Sequence, residues 1–596
     1  MIRSPISQLQ EIAPSKRTLK GHLRRIERVS LRHAHKFIVR RIANLREVRR
    51  HAFGWLVLVA LLSGVAFWQS NVAAAQYTTD GPAEGGVFTE GVFGAVDNLN
   101  PIFAATPAER SASRLLFANL LSYDDNGGLV GELAQTWRLD ETGKVFTMRL
   151  RETAKWQDGA PVTSDDVIFT FELIKNADTR SPLYASWRNI AIEKIDKYTV
   201  RFTLPAVYAA FANSLVVGIL PQHVLKDVRP SELRTEPFNR SPNVVSGPFT
   251  FQALSAVDAN RTHYAVRMAA NKNYVLGAPK LNGFQLHAYK DREDLSKALR
   301  NQEVASISDP TINQLKTIDK ERFATVNAPL DNGVYAFLKT DSELLSDVRV
   351  RQALQLATDQ PAITKLFDGT VQELNGPLLP GQLGYRADLQ QPSTNLARAN
   401  QLLDEAGWKR NSQGTRRVKD GQPLKLRLVS LSSGNYPALA ESVMAQWSKI
   451  GVEFDTTAPL VKADDIQQNV ILPRAYDVLI YEIAIGHDPD VYAYWHSSQA
   501  TERGFNLSDY KSPKVDDALD SARTRLDPAL RAAKYQLFVQ QWLADVPAIG
   551  LYRPSLVYVQ NKDVFTFAPH RLVDPSDRYF NVRYWAAGHV PLRPTR

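Results

Sequence analysis

From Ala52 to Trp68 the chain reads AFGWLVLVALLSGVAFW, 17 residues without a charge or a strongly polar side chain. A run that is apolar on every face has to be covered all round, by a bilayer or by a protein core. Its flanks favour the bilayer. The 51 residues before it carry 14 Lys/Arg against 3 Asp/Glu, and Trp55 and Trp68 stand near its ends, where indoles prefer the membrane–water interface. As a helix the run is about 25 Å long, slightly short of a roughly 30 Å hydrocarbon core. The positive flank orients the N-terminus to the cytoplasm and leaves the 528 residues after Trp68 outside. The expectation is a single transmembrane helix, as anchor or signal segment, over 52–72. Ala73-Ala74-Ala75 offers a small-residue cleavage site after Ala75. A lead of 51 residues is much longer than a signal-peptide n-region, which favours an uncut anchor. With no cysteine in the chain, no lipidated thiol can replace it.

The net charge of +10 suggests nucleic acid until it is located. Beyond residue 51 the chain carries 58 Lys/Arg and 59 Asp/Glu, so the excess belongs to the N-terminal segment and no nucleic-acid partner is expected. Within 1–51, Leu19, Leu23 and Ile26, then Ile38, Ile42, Leu45 and Val48, recur at helical spacing among arginines. Such an amphipathic helix suits the anionic inner leaflet, or a cytoplasmic partner.

The external body has ordinary globular composition, 44% hydrophobic and 22% charged for the whole chain, and is too long for one core. After a polar tether at 73–85, β-patterned runs at 145–150, 198–204, 424–431 and 476–483 alternate with helical ones at 164–177 and 437–451. Ser164 is the expected N-cap of the first helix, and Gly451 closes the second. No repeat is visible, and the class is mixed α/β.

Signatures of chemistry are sparse. The chain lacks G-x-S-x-G, H-E-x-x-H, the P-loop and G-x-G-x-x-G motifs, and it has no cysteine. The one dense polar cluster is HDPDVYAYWH, 487–496. His487, Asp488 and Asp490 would make a poor metal site, because ligands this close in sequence rarely suffice without distant partners. Asp488 and Asp490 could also flank a sugar as a glycosidase pair. An Asp-Pro-Asp turn capping a helix is the simpler reading. No catalytic residue, no metal and no cofactor are expected.

A series of segments does carry a signal. LNP (99–101), LLFANLLSYDDNGGLVGELAQTW (115–137), WQDGAPVTSDDVIFTFELI (156–174), SPLYASW (181–187), ILPQHVL (219–225), SGPFTF (246–251), YVLGAPKLNGF (274–284), DVRVRQALQLATD (347–359), AGW (406–408) and DPDVYAYWHSS (488–498) follow in order. Together they resemble the extracytoplasmic solute-binding proteins of peptide-type ABC importers, the oligopeptide/dipeptide/nickel family. The resemblance implies a two-lobed periplasmic-binding-protein-like fold with an extra domain. Lobe I would comprise 84–125, 243–335 and 556–596, the extra domain 126–242, and lobe II 336–555. A monomer would hold a peptide or other solute between the lobes and deliver it to a membrane permease. Nickel chelates and oligosaccharides are alternative cargoes, and a ligand-free tethered adaptor is an alternative role.

The same resemblance implies site residues. YEIAIG (481–486) would be a cleft-edge strand whose backbone from Tyr481 to Ile485, Ile483 included, pairs with an extended ligand. Tyr184 and Trp187 match ligand-lining aromatics, with core packing as the alternative. Tyr492 and Trp495 would follow in the loop and helix start. Peptide binders of the family hold the ligand's amino group with an aspartate where this chain has Ile485. Either Asp488 or Asp490 takes over the amine, or the ligand is not held by a free N-terminus.

Overall fold

The computed structural model describes residues 45–77, 79–82, 84–455, 460–566 and 569–592. The basic amphipathic segment expected over 1–51 lies outside these residues through Asn44. The described chain divides into two units, one holding the N-terminal residues through Asp80 and the last six residues, the other Gly81–Val590.

In the first unit the apolar run lies within one helix, Leu45–Tyr77. The side chains described along it, 53–69, are all exposed, from Phe53 (69%) to Trp68 (67%). The expected transmembrane helix over 52–72 is thus a helix, but the described apolar stretch spans only about 25 Å. Among the described residues no helix is long and apolar enough to cross a membrane. The tether starts later than expected, since 73–77 are still helical.

The second unit is built on one large sheet. Its strands run in the order Leu460–Val461, Leu428–Leu431, Val478–Ala484, Asn332–Leu338, Ala548–Asn561, Ser306–Ser308, Val87–Phe93, Gly283–Tyr289, His263–Ala270 and Phe249–Ala256. The key element is the 14-residue strand Ala548–Asn561, about 45 Å of extended chain. Its first part pairs with Asn332–Leu338, as in Ala336↔Ile549. Its second part pairs with Phe323–Pro329 and Ser306–Ser308, as in Thr325↔Val559 and Ile307↔Val559. One strand thus belongs to both halves of the sheet, and the register with Asn332–Leu338 slips between Val334 and Tyr335, where the two halves meet.

A separate antiparallel sheet orders Ala134–Leu139, Val145–Leu150, Thr199–Thr203 and Ala191–Asp196. Helix Ser164–Lys175 packs its Phe171 against this sheet's Phe202, ring centroids 5.6 Å apart. Its N-cap is Thr163 rather than Ser164, and the Thr163 backbone N–H donates to the Asp166 carboxylate at 2.8 Å to close a capping box. The sequence reading was one residue late because Thr and Ser stand side by side and both can cap.

The strand expected over 424–431 is split into Lys425–Leu426 and Leu428–Leu431. Arg427, between them, takes its backbone N–H to Asp477 Oδ2 at 2.9 Å instead of to a ladder.

Candidate functional site

Between the two halves of the large sheet lies a cleft of about 640 Å³. That volume falls within the roughly 300–1,000 Å³ of small-molecule sites. One wall carries Phe93, Arg110, Arg292, Asp309 and Asp574, the other Asn332, Tyr436, Glu482 and Ala484, and the crossing strand adds Tyr552 and Pro554.

The second wall follows from strand alternation. In Val478–Ala484 successive side chains point to opposite faces. Glu482 and Ala484 share the cleft face. Tyr481, Ile483 and Ile485 fall on the other side, against the core of Tyr335, Phe337 and Trp542. The nine site residues expected from the sequence therefore separate sharply, and none lines the cleft with its side chain. Ile483 and Ile485 are each 5% exposed, and Tyr481 is half-buried on the same core. Trp495 is fully buried beside Phe337, 5.6 Å between rings. Trp187 is 2% exposed and packs on Phe171 at 4.2 Å, in the core of the smaller sheet. Tyr184 is half-buried at the head of the same short helix, away from the cleft lining.

The backbone expectation is narrower in the structure than in the sequence. Along one side the strand is paired throughout with Asn332–Leu338, ending at Asn332↔Ala484. On the other side Leu428 and Val429 pair with Val478 and Leu479, after which Ser430 and Leu431 turn to Leu460 and Val461. The edge without a neighbouring strand is therefore 480–484, and at its end the Ala484 carbonyl already accepts from the Tyr494 hydroxyl at 2.7 Å. Ile485 is not part of it, since its N–H and that of Gly486 donate to the Asp331 carbonyl at 2.8 and 3.0 Å.

Asp488 and Asp490 are occupied by arginines. Asp488 takes a two-pronged pair from Arg531 at 3.0 and 2.8 Å, with Arg531 itself only 9% exposed at its side chain. Asp490 meets Arg523 Nε at 3.3 Å. Burial pushes its carboxyl up, against the pull of Arg523 and a hydrogen bond from Tyr208. The Arg523 guanidinium lies between the rings of Tyr208 and Tyr492, 4.8 and 4.6 Å away. The turn thus fastens residues 487–496 to helices 513–524 and 528–545 and to Tyr208. It is a strut at the edge of the site, neither an acid–base pair nor a free amine anchor.

The sequence reading missed Glu482. Its Oε1 accepts from Asn332 Nδ2 at 2.7 Å and its Oε2 from the Tyr436 hydroxyl at 3.4 Å. Burial pushes its carboxyl up, those two hydrogen bonds pull it down, and the charge of Asp309 across the cleft pushes it up again. Asp309, at the end of strand Ser306–Ser308, pairs with Arg292 at 3.0 Å, and Arg110 pairs with Asp574 at 3.1 Å on the same wall. A signal for Glu482 existed in the sequence. A single acidic residue inside an otherwise apolar strand needs a partner or a function.

Trp187→Ala is expected to lower stability by about 3–5 kcal/mol, the cost of deleting a buried Trp, with solute affinity unchanged. Thermal unfolding and titration of the same preparation check both parts. Reduced affinity at unchanged stability would return Trp187 to the ligand.

Comparison with known proteins agrees with this geometry. Residues 128–505 match the model of the bacterial extracellular solute-binding proteins, family 5 Middle. The chain is 26% identical over 546 residues to the oligopeptide-binding protein AppA of Bacillus subtilis, covering 89% of this chain and 97% of that protein. It is 30% identical over 470 residues to protein XP55 of Streptomyces lividans, covering 76% and 81%. Among solved structures, NikZ of Campylobacter jejuni in complex with Ni(L-His) superposes with a TM-score of 0.70 at 25% identity, covering 84% of this chain and 99% of that one. That structure shares the two-lobed periplasmic-binding-protein fold with this chain. The chain belongs to family 5 of the bacterial extracellular solute-binding proteins, the solute-capturing components of ABC importers.

Proposed function

We propose that this chain captures peptides in the interlobe cleft, outside the cytoplasmic membrane, and presents them to an ABC permease without altering them. The observation that carries the reading is the strand edge at 480–484, unpaired by any other strand and open up to the Ala484 carbonyl that Tyr494 holds, beside a cleft of about 640 Å³. An extended peptide can add its backbone to such an edge while its side chains occupy the surrounding space. The similarity of this chain over nearly its whole length to AppA, an oligopeptide-binding protein, supports the same cargo. A non-peptide solute is the second reading, favoured by Ile485, a buried aliphatic residue where peptide binders of the family carry an aspartate.

The lobe and extra-domain boundaries expected from the sequence belong to this reading, with the crossing strand Ala548–Asn561 as hinge. So does attachment to the membrane. The uniformly exposed apolar side chains at 53–68 and the 14 Lys/Arg before them support a single N-terminal anchor with the body outside. The basic segment 1–51 would lie on the anionic inner leaflet or on a cytoplasmic partner, and the body would act as a monomer.

The test is a blocked cleft. Ala484 is exposed on the cleft face, so Ala484→Trp fills the space without disturbing a core. Full-length wild type in detergent should gain several degrees in thermal midpoint from a mixed tetra- and pentapeptide pool, by binding linkage. Ala484→Trp should unfold at the wild-type midpoint and gain nothing. An equal shift in both proteins would place capture elsewhere, and no shift in the wild type would reject peptides as cargo.

A further inference from the structure

At the end of the cleft where strands Asn332–Leu338 and Val478–Ala484 meet, hydrogen-bond acceptors outnumber donors. Glu482 has only neutral partners, Asn332 Nδ2 at 2.7 Å and the Tyr436 hydroxyl at a long 3.4 Å. No Lys, Arg or His pairs with it among the described residues. Turning its amide nitrogen to Glu482 leaves Asn332 with a buried Oδ1 that has no partner. Asp309 stands across the cleft, close enough for its charge to act on Glu482, and Arg292 is already committed to it. Every other charged pair on that wall is internally balanced, as in Arg110–Asp574. An enclosed carboxylate without a counter-charge is costly, and so is an orphaned acceptor beside it.

We infer that Glu482 and the Asn332 carbonyl oxygen form a subsite for a cationic, donor-rich group of the captured solute, an ammonium or a guanidinium. An ammonium brings three N–H donors and a full positive charge, which answers both deficits at once. A neutral amide could fill one acceptor but would leave the charge unbalanced. The inference deepens the cleft-capture reading and rests on it. It also replaces the turn residues Asp488 and Asp490 as the place where a ligand's charge is met.

The test uses full-length protein in detergent, dialysed free of endogenous solute, and calorimetric titration with four probes. These are tetra-alanine, N-acetyl-tetra-alanine amide, N-acetyl-Ala-Lys-Ala-Ala amide and the polyamine spermidine. Wild type should bind charged probes about 10- to 100-fold tighter than the blocked neutral peptide, the worth of a charge-assisted contact. Tetra-alanine against the lysyl peptide shows whether the ammonium is terminal or side-chain. Glu482→Gln should erase the preference, and Asn332→Ala should weaken it several-fold by the same contact. Peptides bound equally well with and without charge, in wild type and variants, would overturn the subsite and keep peptide capture. Spermidine bound through Glu482 with no peptide bound would keep the subsite and overturn peptide capture. Binding of no probe would overturn both.

Discussion

Asp488→Ala is expected to cost about 3–5 kcal/mol of stability, because it leaves the Arg531 guanidinium enclosed and unpaired. Arg531 is held from two sides, by the Asp488 carboxylate at 2.8 and 3.0 Å and by its own Nε donating to the Ala522 carbonyl at 3.0 Å. Removing the carboxylate therefore strands a charge that cannot swing out to solvent. The double variant Asp488→Ala/Arg531→Met should recover a large part of the loss, since it removes the charge with its partner. Solute affinity should stay within a few-fold of wild type in both. Thermal unfolding and titration on the same samples separate this from a ligand role, which predicts lost affinity at unchanged stability.

Gly550→Ala should be nearly as damaging, at about 3–5 kcal/mol, through overpacking together with buried hydrogen bonds lost. Gly550 lies in the long strand shared by both halves of the sheet, and a Cβ there would sit 2.1 Å from the Leu374 carbonyl oxygen. The neighbour is backbone and cannot rotate away. Retreat of the strand is opposed as well. The Gly550 carbonyl accepts from Gln360 at 2.6 Å and Gln391 at 2.9 Å, and its N–H donates to Gln391 at 3.1 Å. Both glutamines are buried, so a shifted strand leaves their amides unpaired. Gly588→Ala, where an added Cβ meets nothing within 4 Å, should change stability by less than about 0.5 kcal/mol. Chemical denaturation of the three proteins side by side checks the contrast.

How much of this was readable beforehand differs by element. The strands at 145–150 and 478–484 and the helices at 164–175 and 436–448 follow from local periodicity, and their ends stand within three residues of expectation. The ordered motifs identified the family, and with it the two lobes. What local pattern could not convey was which face of a strand meets the cleft. Resemblance placed YEIAIG at the ligand, but alternation turns Glu482 and Ala484 inward to the cleft and Tyr481 and Ile483 to the core. The acidic pair at 488 and 490 drew attention for its density of charge. Its neutralising partners, Arg523 and Arg531, lie 33 and 43 residues further along the chain, and sequence distance conceals such pairs. Trp187 is ambiguous for a related reason, since one aromatic residue can serve a pocket or a core and only the packing on Phe171 decides.

The most direct test of solute capture in the cleft is native mass spectrometry of the full-length chain released from mild detergent, followed by denaturation and mass analysis of what dissociates. About one solute per chain is expected, chemically intact, rich in species with an ammonium or guanidinium, and absent from Ala484→Trp. An empty wild-type chain, or a solute that stays bound when the cleft is filled, would contradict capture in the cleft.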